Sequence, residues 1–137
     1  MSREDKPPQP FKEQFIWIAE FKANPGKRAE FMEALLTHTA NVQRTEDETL
    51  SFVALESVED DVSLAIFERY TSEKYFKEVH ATSDSMKEFR EKVLIMRVDR
   101  LAAKTNMNLQ IGPLMAEGVR GGYKAVAGFV DKREAIA

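Results

Sequence analysis

Two periodicities divide the chain. Phe15-Ile16-Trp17-Ile18-Ala19-Glu20-Phe21-Lys22 is aromatic and β-branched and stops at the turn residues Asn24-Pro25-Gly26, which predicts a strand. One of its faces carries Phe15, Trp17, Ala19 and Phe21; the other begins Ile16, Ile18 and turns polar at Glu20 and Lys22. From Lys27 to about Arg44 the period lengthens, with Phe31, Leu35, Thr39 and Val42 at helical spacing and Met32 and Leu36 widening the stripe. Polar breaks at 45–48 and 57–61 bracket two further strands, 50–55 and 62–70, joined as a hairpin.

Ser72, followed by Glu73, is a candidate N-cap for a short helix running to Val79. Ser85 and Glu88 stand at capping-box spacing ahead of Met86, Phe89, Val93, Met96 and Leu101, so a second long helix is expected from there toward Lys104, broken from the short one near 82–84. Residues 109–119, with Gly112-Pro113, predict a loop with a helical turn, and 123–130 a last strand. Three prolines and mixed charge make 1–12 a flexible N-terminal arm, leaving a folded domain at 13–131 and a C-terminal tail at 132–137.

The order β-α-β-β-α-β is the ferredoxin-like, split βαβ arrangement: an α+β subunit with an antiparallel sheet and both helices on one face. Two helices roof such a sheet once, yet the first strand is apolar on both sides and Leu64 and Ile66 are opposed by Ala65 and Phe67. Large uncovered apolar faces are rare on monomers, so a second copy of the sheet is the expected cover and a homodimer the expected assembly.

Composition narrows the chemistry. The 137 residues suit one core, and the absence of cysteine removes disulfides, thiolate nucleophiles and Cys-ligated zinc or iron–sulfur sites. A net charge of −3 is the opposite of the basic footprint that nucleic acid requires. No apolar run approaches the roughly 18 residues of a membrane helix, and the first residues are too polar for a signal peptide, so a cytoplasmic protein without nucleic-acid or membrane partners is expected. With histidine only at 38 and 80 and no glycine-rich phosphate loop, neither a metal nor another cofactor is expected.

Several segments together resemble the antibiotic biosynthesis monooxygenase family: Arg44-Thr45-Glu46 before the second strand, Leu50-Ser51-Phe52 within it, Glu68-Arg69-Tyr70 ending the third, and Val79-His80 leading to Ser83. The resemblance covers about residues 15–95. It departs from the family pattern at Asp47-Glu48, where Pro-Gly is usual, and at His80, which stands one residue later than the commonest spacing. It implies a dimeric α/β barrel of ferredoxin-like subunits. Among the activities it implies are cofactor-independent oxygenation of quinols and polyketide aromatics, haem degradation and sugar-phosphate isomerisation, so the site must decide.

An oxygenase without a cofactor draws its electrons from substrate: a base removes a phenolic or enolic proton, the carbanion reduces O₂, and fixed donors hold the anion in a dry pocket. Histidine titrates in the right range, which makes His80 and His38 candidate bases, with Tyr70 a candidate phenolic donor. Trp17, Phe52, Phe67, Phe76, Ser83, Met86 and Arg90 are the expected substrate-binding residues. Arg44 and Glu46 fit either a pocket ion pair or an exposed pair beside a turn. The expected activity is monooxygenation of a small aromatic, quinol or polyketide-like substrate with molecular oxygen. The alternatives are a non-oxidative isomerase, dehydratase or decarboxylase of an enolisable intermediate, and a dimeric ligand-binding module without catalysis.

Overall fold

The computed structural model describes residues 14–94 and 122–132. Strand β1, Phe15–Lys22, ends in a turn with Pro25 second and Gly26 third, closed by the Lys27 N–H donating to Asn24 O at 2.9 Å. Gly26 has φ +79°, the left-handed conformation this turn demands and glycine supplies without strain. Helix α1, Arg28–Thr45, follows at once and buries Phe31, Leu35, Thr39 and Val42, the stripe its spacing predicts, together with His38.

Strands β2 (Thr49–Ser57) and β3 (Ser63–Tyr70) form the predicted hairpin. Its loop is closed by side chains: Ser57 Oγ accepts from the N–H groups of Glu59 and Asp60, and Asp60 Oδ1 from those of Val62 and Ser63. Ser72 caps α2 (Glu73–Tyr75), its hydroxyl accepting from Tyr75 N–H. The chain then widens into a single π turn, Phe76–His80, where the short α-helix was expected to run to Val79. A π turn takes up one extra residue, and His80 at its end reaches the interior.

Helix α3, Asp84–Leu94, buries Phe89 and Val93. Its N-terminus corrects the expected capping box: Ser83 caps it, accepting Met86 N–H at 3.1 Å, whereas the Ser85 hydroxyl is engaged by His38 at 2.7 Å. The expected continuation to Lys104, the 109–119 loop, the 1–12 arm and all of the tail after Lys132 lie outside the described residues.

Strand β4, Tyr123–Phe129, completes an antiparallel sheet of order β1-β3-β2-β4. Both helices cover one face, and the α+β, ferredoxin-like element order is as expected; β4, however, lies beside β2 rather than beside β1. The core between sheet and helices gathers Phe21, Phe31, Leu35, Phe52, Ile66 and Phe89. On that face alternate residues of β1 and β3, Trp17, Ala19, Phe21, Ile66 and Glu68, point toward the helices.

Candidate active site

A cavity of about 140 Å³ opens between the sheet and the helices. Trp17, Phe21, Phe52, Phe76, Phe89, Ile66 and Met86 supply its apolar wall, and His38, His80, Glu68 and Arg90 its polar groups. The rings are packed on one another: Trp17 and Phe76 have centroids 4.8 Å apart, and the His38 imidazole stacks on Phe89 at 4.9 Å with 9° between planes. Such contacts fix ring orientations as well as excluding water.

The polar groups form a buried chain. Glu46, in the link between α1 and β2, accepts a hydrogen bond from Thr49 Oγ1 at 2.7 Å and faces His80 Nδ1 at 2.8 Å. The opposite nitrogen, His80 Nε2, lies 3.4 Å from Glu68 Oε1, and the Tyr70 hydroxyl donates to that same carboxylate oxygen. Glu46, Glu68, His80 and Tyr70 are each under 5% exposed. Lys132 anchors the Glu46 end, its ammonium donating to the backbone oxygens of Glu46 and Val42.

Burial sets the proton affinities. It would raise the Glu46 carboxyl, but the His80 hydrogen bond and charge and the Thr49 hydroxyl outweigh it and hold Glu46 below the usual carboxylate range. At Glu68 burial wins over His80 and Tyr70 and pushes the carboxyl up to about 7. The Tyr70 phenol is pushed well above its ordinary value by burial and by the Glu68 charge. Burial and the neighbouring His80 depress His38 to about 3, so its ring is neutral near pH 7. A carboxyl poised at neutrality on the wall of an aromatic cavity can take a proton from a bound acid.

The antibiotic biosynthesis monooxygenase profile matches residues 14–92, more than half of the chain. The chain belongs to that family. A solved structure from Bacteriodes thetaiotaomicron VPI-5482, provisionally named as an antibiotic biosynthesis monooxygenase, superimposes with a TM-score of 0.59 at 20% identity, over 64% of this chain and 83% of that one. At that identity the likeness concerns the fold. No curated protein matches the chain.

Within this family fold the expected site residues separate into groups. His80, His38, Trp17, Phe52, Phe76, Met86 and Arg90 come together around the cavity. Tyr70 stands behind it, reaching the site through Glu68. Ser83 is spent on capping α3, and Phe67, paired with Ile18, lies on the sheet face away from the helices. Arg44 is exposed and bonds Asn41, so it forms no pocket ion pair; Glu46 is buried on His80 instead. Glu68 was missing from the expected set. Its signal was its position: with Tyr70 two residues on, it projects from β3 on the face of Ile66, which the helices cover.

Proposed function

We propose that the cavity binds a compact aromatic or otherwise enolisable acid and that the protein is a monooxygenase drawing its electrons from that substrate. The observation that supports this most is Glu68: a buried carboxyl held near 7 at the wall of an aromatic-lined cavity. A cavity of about 150 Å³ lined by apolar side chains accommodates benzene, so the present one suits a single substituted ring better than a fused polyketide.

Glu68 takes the acidic proton, with His80 relaying charge toward Glu46. The electron-rich carbon then reduces O₂. At a CH₂ carbon the reaction balances as CH₂ + O₂ giving C=O and H₂O. The protein's own work is proton removal, anion stabilisation and exclusion of bulk water.

The test is an oxygen-electrode assay of the purified protein against substituted hydroquinones and monocyclic phenols, with ¹⁸O₂ labelling of the product. Uptake of one O₂ per product, label in the product and loss of both in Glu68→Gln support the reading. Anaerobic turnover would instead establish a non-oxidative isomerase, dehydratase or decarboxylase. Binding without turnover under either atmosphere would leave a ligand-binding module. The homodimer expected from the sequence is proposed as the assembly in which this site works.

A further inference from the structure

Two buried polar atoms on the cavity wall have no hydrogen-bond partner: His38 Nε2 and Arg90 Nε. His38 is 2% exposed and its ring cannot turn away, because it stacks on Phe89, meets Phe52 edge-on and is tied through Nδ1 to Ser85. In the tautomer in which the Ser85 hydroxyl donates to Nδ1, the ring proton sits on Nε2 and points into the cavity wall as a donor. Arg90 adds a permanent positive charge, and no ion pair to it is formed among the described residues. Leaving a buried donor unsatisfied costs about 1–3 kcal/mol, more for a charged one, and two such donors lining one cavity are complementary to a ligand atom between them.

We infer that this wall is a built subsite for one anionic oxygen, so that the ring entering the cavity carries a carboxylate or an equally acidic enol or phenol. The inference rests on the reading of the cavity as the substrate site and adds the substrate's charge. Charge-assisted hydrogen bonds are about twice as strong as neutral ones and two unsatisfied donors, one of them charged, face the cavity, so an anion should be preferred to its neutral isostere by at least tenfold.

Trp17 is the only tryptophan and lines the cavity, so its fluorescence reports occupancy without turnover. Benzoate and benzyl alcohol are titrated anaerobically at pH 6, where Glu68 is protonated. Benzoate is expected to bind at least tenfold more tightly, and Arg90→Met to remove that preference while leaving benzyl alcohol within about twofold. Arg90→Lys, which keeps the charge but not the Nε donor, should retain part of it. Equal binding of the two rings, benzoate affinity unchanged in Arg90→Met, or no response to either at millimolar concentration would overturn the inference. Absence of oxygen uptake would sink the oxygenase reading and leave this result untouched.

Discussion

His80 Nδ1 and Glu46 Oε1 stand 2.8 Å apart across 34 residues of sequence, both side chains within a few per cent of full burial. The contact joins the π turn to the link after α1, and so the cavity wall to the core. Glu46→Ala strands the Nδ1 of His80 and the Thr49 hydroxyl without a partner. It is expected to lower stability by about 2–3 kcal/mol, read by urea denaturation, and turnover by at least about tenfold. Glu46→Gln keeps the volume and one acceptor, so its loss of stability should be the smaller of the two while the loss of turnover persists.

Glu68 couples function to stability through pH. Its carboxyl titrates near 4.5 when the chain is unfolded and near 7 when folded. A raised folded value means that the folded state holds the proton longer. The associated stability is present below about 4.5 and lost as pH rises through 7, by about 3 kcal/mol at roughly 1.4 kcal/mol per unit. Glu68→Gln mimics the protonated form, so it should melt above wild type at pH 8 and close to it at pH 4.5. The same substitution should lower kcat by about 10²- to 10⁴-fold, whereas wild-type kcat/KM should rise with pH around a midpoint near 7. Thermal melts and rate profiles of the one variant check both halves.

How much of this was legible in the sequence depends on what each feature rests on. Strand β1 and helix α1 were readable because period and turn agree: Asn24-Pro25-Gly26 separates a run with period two from one with period near four. The α3 cap was misplaced because Ser83 and Ser85 are equivalent as sequence, and only the approach of His38 from α1 takes Ser85 away. The π turn was not legible, because five residues are too few to show a change of helical period. Glu68 was passed over because a glutamate at the end of a strand is most often solvated; it is buried beside Tyr70, two residues along the strand, and His80, which long-range packing brings in. Phe67 illustrates the converse, an aromatic whose strand parity puts it on the face opposite the cavity.

Tyr70 tunes Glu68 rather than touching the cavity. Its hydroxyl donates to Glu68 Oε1 and favours the ionised carboxylate. In Tyr70→Phe that donor is gone, so the Glu68 transition should move above 7, and the midpoint of the kcat/KM profile with it. At pH well above the new midpoint the rate should return to within a few-fold of wild type. A uniformly reduced rate with an unmoved midpoint would show Tyr70 to be a packing residue only.

Gly128 tests the seat of β4. Its φ is +127°, and a Cβ built there would lie 2.1 Å from Phe52 O and 2.9 Å from Val53 Cα, both backbone atoms that cannot move aside without breaking the β2 ladder. Gly128→Ala therefore combines backbone strain with overpacking, for an expected loss of about 3 kcal/mol or more. The damage should be local. Phe129 and Lys132 would lift from the sheet, withdrawing the donor from the Glu46 carbonyl and loosening the Glu46–His80 contact, while α1, α3 and the β1-β3-β2 core keep their packing. Amide exchange should accordingly accelerate along β2 and β4 and stay slow at Leu64 and Ile66 in β3, and turnover should fall although no cavity residue has changed. Gly122→Ala is the control: its Cβ meets only a Val58 methyl at 3.1 Å, which can shift, so stability should stay within about 0.5 kcal/mol of wild type.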